Sequence, residues 1–268
     1  MASRQSRLHP VIATAVALNL FVLVLAWVWA RSDTAALGRL LIEDGLVEWM
    51  QFLAFAVIAM VLAFVGMERW RRTKKLSLDL VGIAGLSLLV AVAAFEEISW
   101  FQRVIGVSTP EFFEKHNRQG ETNLHKLALG SASQHKTVLL KLIFIAGLLH
   151  NLVLPLLARS RPVIREKIEA LGMYLPPLHA ALMYLLLVLL SHLLIDHPRK
   201  GELGEMFGAV HYLATVITAY LFGVGYGKPP VFEHEPDRRR LARLAVPAMG
   251  FLLLVSWLLG AMSLRVVG

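Results

Sequence analysis

Two adjacent carboxylates, Glu96 and Glu97, close an apolar run that begins near residue 79. Ser99, Trp100, Arg103, Glu121, Asn123 and His125 follow before residue 126. An ionised side chain inside a bilayer costs at least ~2.5–3.5 kcal/mol near the centre, so acids in such a place mark function or a paired network. A glutamate held out of water can transfer protons. Carboxylate and imidazole together also suit Zn, Fe or Mn.

Further groups of the same kind end or begin other apolar runs. His192 and Asp196 are four apart, which puts them on one helical face. Glu205 opens the next run, and His211 lies about 9 Å further along it by helical rise. The expected site therefore has Glu97, Glu96, Arg103 and Asn123 as chemical groups. His125, His192, Asp196, Glu205 and His211 are its candidate ligands for a divalent metal. If the helix continues past residue 97, Glu96, Trp100 and Arg103 share a face and Arg103 pairs with Glu96. Glu97, ~100° round the helix, is then the carboxylate left for chemistry. Glu205 and His211 are offset by roughly 120° and converge only with help from the 100–136 loop.

Each feature has a plainer reading. Glu48, Glu202 and Glu205 sit where an acid complements a helix N-terminus. Trp49 and Trp100 suit an interfacial belt. Asp196, His197 and Arg199 can be a polar helix exit. His150, Asn151 and His179 suit hydrogen bonds between buried helices. Haem ligation by His150, His192 or His211 is a further alternative.

These residues must be positioned by membrane-spanning helices. The 268-residue chain is 57% hydrophobic and 17% charged, against about a quarter charged in soluble domains. Seven apolar stretches are long enough to cross a bilayer: 11–30, 46–66, 79–99, 137–158, 174–195, 205–225 and 243–264. The runs are continuous rather than alternating, which excludes a β-barrel. The first follows Arg4 and Arg7, as a signal peptide would, but its length and the lack of a small-x-small cleavage site make it a retained helix.

Lys and Arg concentrate in the connections after the second, fourth and sixth runs and before the first. The positive-inside rule places these in the cytoplasm, with the N-terminus inside and the C-terminus on the periplasmic side. Residues 1–268 read as one transmembrane domain of an inner-membrane, multi-pass protein, with an outer interfacial segment at 106–136 acting as a lid. Thr109-Pro110-Glu111 reads as the start of a short helix in that segment. Thr122 is positioned to cap a second. Residues 160–171 read as a short basic surface helix, and 226–240 as a solvated loop.

The net charge of +8 is explained by these topology signals, so no nucleic-acid partner is expected. Cys is 0, which excludes disulfides, thiol nucleophiles and Cys-ligated metal. No H-E-x-x-H, G-x-S-x-G or Walker A pattern occurs, and no G-x-G-x-x-G follows a strand pattern.

The stretch Glu96-Glu97-Ile98-Ser99-Trp100, with Gln102-Arg103, Thr109-Pro110 and Glu121-Thr122-Asn123-Leu124-His125, resembles a signature of bacterial multi-pass membrane proteins. That resemblance carries no activity with it. The helix count and the Ser, Asp and His content are also similar to those of ceramidase-like membrane hydrolases. The Ser-x-x-x-His and His-x-x-x-His spacings of that superfamily are missing, and fold-level analogy is weak evidence for function.

Three functions fit the sequence. An enzyme would act on a lipid-linked substrate, drawing on membrane lipids as partners. An ion or proton relay would use Glu96, Glu97, Asp196 and Glu205, continued inward by His150 and His179. A structural accessory subunit would use the same polar residues to fix helix packing.

Overall fold

The computed structural model of the chain describes residues 8–42, 45–102, 106–117, 120, 122–124, 141–142 and 144–266. For residues 246, 252–253 and 255–266 it describes the backbone alone. The protein is all-helical, with no strand among the described residues. The helices are α1 Pro10–Ser32, α2 Thr34–Leu41, α3 Leu46–Thr73, α4 Leu78–Glu97 and α5 Glu111–His116. They continue with α6 Phe144–Ser160, α7 Pro162–Ala170, α8 Leu178–Leu194, α9 Gly201–Phe222 and α10 Glu235–Val266.

Four helices are long and apolar enough to cross a membrane: α1, α3, α4 and α9. α6 and α8 are apolar but shorter. Large side chains such as Phe21, Leu88, Leu89, Phe144 and Leu193 stand exposed on the outsides of these helices. A water-soluble protein rarely leaves so much apolar surface open, whereas lipid covers it without cost.

α9 is the axis of the bundle. Of the four long apolar helices it has the largest buried share, and α1, α3 and α8 pack around it. Small residues let neighbours approach: Gly208 lies under the Tyr184 hydroxyl, and a Cβ there would sit 3.1 Å from it. One apolar cluster joins α1, α2, α8 and the first half of α9 through Leu23, Leu37, Ile195, Met206 and Phe207. A second joins α3, α4 and the last half of α9 through Leu62, Ile83, Tyr174, Tyr220 and Tyr226.

Local chemistry sets the helix ends. Pro10 occupies the first turn of α1, and His9 Nδ1 accepts from the Val11 amide at 3.3 Å. Asp33 caps α2 by accepting from the Ala36 amide at 2.9 Å. α9 stops at Gly223, whose φ of 78° suits glycine; the Val224 amide closes onto the Thr218 carbonyl at 2.9 Å.

One end of the bundle gathers the basic connections. Arg69 and Lys228 both reach Asp79, Arg240 reaches Glu68, and the Gly227 amide donates to Glu169. The start of α1 lies there too, with His9 packed on Phe222 at 4.8 Å. The turn after α7 presses on α4 so closely that a Cβ on Gly82 would fall 1.8 Å from the Leu171 carbonyl oxygen.

Several boundaries differ from the sequence expectation. α4 ends at Glu97, not residue 99, and α8 ends at Leu194, where Ile195 turns extended. The connection 31–45 holds a helix, α2, which its polar ends obscure in the sequence. Residues 235–240, expected as loop, are the first turns of α10. Glu235 pairs with Arg238 and Arg239, and Asp237 with Arg240, at helical spacings. The short helices expected after Pro110 and over 160–171 are present as α5 and α7. Thr122 to Leu124 are not helical, and the residues that would continue a helix from Thr122 lie outside the described set.

Candidate functional site

The chain makes an abrupt turn directly after Glu97. Ser99, Trp100 and Phe101 have φ of 47°, 55° and 59°. A left-handed conformation costs a non-glycine residue roughly 1–2 kcal/mol, so three in succession need compensation from their surroundings. Part of that compensation is visible. Trp100 turns back so that its indole N–H donates to Glu96 Oε1 at 2.6 Å, while its ring stacks on Phe95 at 5.3 Å. Phe101 packs edge-on against Phe52 and Phe95.

The loop beyond is tied to this turn by neutral and charge-assisted hydrogen bonds. The Leu124 amide donates to Glu96 Oε2 at 2.6 Å. Asn123 Nδ2 donates to Ser99 Oγ at 3.1 Å, and Asn117 Nδ2 donates to the Asn123 carbonyl at 2.9 Å and to its Oδ1 at 2.8 Å. Gln102 spans the loop: its Nε2 donates to Thr109 Oγ1, and its Oε1 accepts from the Thr122 amide at 2.7 Å. Thr109 in turn donates to the Gly120 carbonyl. Ser99 and Asn123 are each 1% exposed, so these bonds are made out of water, where an unmade one is expensive.

The knot therefore brings Glu96, Ser99, Trp100 and Asn123 together, with Gln102, Thr109 and Asn117 as members that spacing alone did not single out. Glu96 spends both oxygens on loop donors and acts as a positioning group. Glu97 is half-buried at the last helical position. Arg103, Glu121 and His125 lie outside the described residues, so their pairing is not placed. The helical-face argument for Arg103 loses its basis in any case, because the backbone reverses hand at Ser99.

The other expected ligands separate. His192 is exposed and its Nδ1 turns back to its own helix, 3.0 Å from the Val188 carbonyl. Asp196 is exposed and lies past the end of α8, so it does not share a helical face with His192. Glu205 is exposed on α9 while His211 is buried on another side of it. Among the described residues no group of three or more His, Asp or Glu is close enough to hold a metal ion.

His211 belongs to a second polar assembly, inside the bundle. Its ring stacks on Tyr184 at 4.8 Å, and its Nε2 lies 2.8 Å from Asn151 Oδ1. Asn151 Nδ2 donates to the Tyr212 hydroxyl at 2.6 Å and to the Gly147 carbonyl at 2.9 Å. His150 stacks on Tyr212 and approaches the Tyr174 carbonyl at 3.0 Å; the Tyr174 hydroxyl meets Thr215 Oγ1 at 2.8 Å. His150 and Asn151 sit in a π-helical turn, Leu149–Val153, just before Pro155, whose missing N–H leaves the helix one bond short there. The sequence signal for this assembly was Asn151, an amide within an apolar run.

A third set of charges lies at the basic end. Arg240 grips Glu68 with bonds of 2.9 and 2.6 Å and also reaches Asp237, which Arg72 meets from α3 and His234 at 2.8 Å. Tyr226, outside the spans, has its hydroxyl pushed up by burial, while the Arg69 guanidinium 5.0 Å over its ring pulls the other way.

No family model matches the chain, and no curated protein or solved structure matches it.

Proposed function

We propose that the protein is a seven-span protein of the bacterial inner membrane, N-terminus inside and C-terminus outside. In this reading it uses the end of α4 to act on the polar head of a lipid-linked substrate at the outer face. Glu97 is the acid–base group, taking or giving a proton at the substrate. Glu96, Ser99, Gln102, Thr109, Asn117 and Asn123 are positioning residues that hold the 106–124 loop beside it. Membrane lipids and the lipid-linked substrate are the partners of this site.

The orientation draws support from the clustering of the basic connections and the start of α1 at one end. The single observation that carries the site is the left-handed turn Ser99–Phe101, held by seven hydrogen-bonding side chains. A loop that merely connects two spans has no need of such strain, and backbone strain persists where a site over-determines it.

The test compares the lipids of cells that carry the wild-type protein, Glu97→Gln, or no protein, by mass spectrometry. The expected result is a lipid-linked species altered by the wild type and not by Glu97→Gln, with both proteins accumulating equally and melting alike. Identical lipids in all three would sink the enzyme reading. Proton flux through wild-type protein in liposomes, with no lipid change, would favour a relay built on the chain from His211 to Tyr174.

A further inference from the structure

Asn19 sits at the middle of α1 and is 2% exposed. Its Nδ2 donates to the Phe207 carbonyl at 3.1 Å, but its Oδ1 has no hydrogen-bond partner. A buried acceptor left empty keeps the full cost of losing its water. Beside it lies a partly open cavity of about 10 Å³, lined by Ile12, Leu187, Tyr184 and His211 among others. That is the lower limit of space for one water molecule, which also needs two to four polar partners.

The hydrogen bonding of His211 supplies a second partner. Asn151 Nδ2 donates to the Gly147 carbonyl, which can only accept, so the amide orientation is fixed and Oδ1 faces His211. Nε2 of His211 must then carry the proton, and in a neutral ring Nδ1 is left as an acceptor. The cavity thus adjoins two residues that each offer an acceptor, Asn19 and His211. Water is the smallest molecule with two donors, and an apolar atom would leave both unsatisfied.

The geometry points to a single structural water at the centre of the bundle, donating one O–H to Asn19 Oδ1 and the other to His211 Nδ1. It would join α1 to α9 and, through Asn151, to the π-helical turn of α6. It would also commit both ring nitrogens of His211, which removes this histidine from any metal or haem ligand set.

The test pairs a map of the detergent-solubilised protein at about 2 Å or better with a thermal melt of Asn19→Leu. Leucine fills the cavity and removes the amide. A water that satisfies Asn19 makes the amide favourable, so Asn19→Leu lowers Tm by a few degrees. Density between Asn19 and His211 with a lower Tm is the expected result. An empty cavity in the map, or a variant as stable as the wild type or more so, overturns the inference. Should Asn19→Leu fail to accumulate, the ¹⁵N shift of His211 Nδ1 in the wild type decides. A hydrogen-bonded acceptor supports the water, and a free one refutes it.

Discussion

The two ends of the bundle solve the same problem with different chemistry. At the basic end, Glu68 and Asp237 are buried and neutralised by Arg71 and Arg72 of α3, Arg240 of α10 and His234 just before α10. At the opposite end, Glu96 is held by an indole and a backbone amide, and the remaining bonds join amides and hydroxyls. The first end is built from ion pairs, some local and some joining α3 to α10. The second is built from hydrogen bonds, several of them between residues 20 to 28 apart, on a backbone twisted out of its preferred region. Ion pairs fix which helices meet; strained turns fix where individual atoms point. One end is a clamp between helices, and the other is a loop pinned to a turn.

The sharpest way to break the contrast is Arg240→Ala. It leaves Glu68 and Asp237 buried with fewer partners, so a loss of about 3–5 kcal/mol is expected in chemical unfolding of the detergent-solubilised protein. A loss under 1 kcal/mol would mean that the basic end is not held by this pair. Asn123→Ala should cost less, about 1–3 kcal/mol, because the bonds it removes to Asn117 and Ser99 join neutral groups. Limited proteolysis should then cut between residues 106 and 124 while the helices stay intact. Protection equal to the wild type would count against the knot as the loop's tether. The smallest effect belongs to Arg238→Ala. Its pair with Glu235 is exposed, so no more than about 0.5 kcal/mol is expected, and 1 M salt should erase it. A larger, salt-resistant loss would show that charge at this end acts through more than the buried pairs.

Much of the scaffold was legible in the sequence because apolar run length and Lys/Arg placement report the membrane directly. α1 and α4 begin within a residue or two of their expected starts, and α5 and α7 follow from a Pro-Glu start and a basic amphipathic pattern. The site was legible in part. Glu96, Ser99, Trp100 and Asn123 lie together as the clustering of polar types implied. Helical-face arithmetic failed past Glu97 and past Leu194 because it assumes a helix that the backbone has left. Asp196 stands exposed past the end of α8, and Glu205 stands exposed on α9. The pairs Glu68–Arg240 and Asp237–Arg72 join residues so distant in sequence that no local pattern could match them.

The bond between Glu68 and Arg240 has a consequence for how the protein is made. Helices enter a membrane in the order of synthesis, and α3 is complete long before residue 240 leaves the ribosome. Until then the Glu68 carboxylate has Arg71 beside it but none of the clamp that α10 brings. The bundle without its last helix is therefore an intermediate with an under-compensated charge near one face. A chain cut short before α10 would carry that defect permanently, which gives membrane proteases a physical mark by which to recognise it.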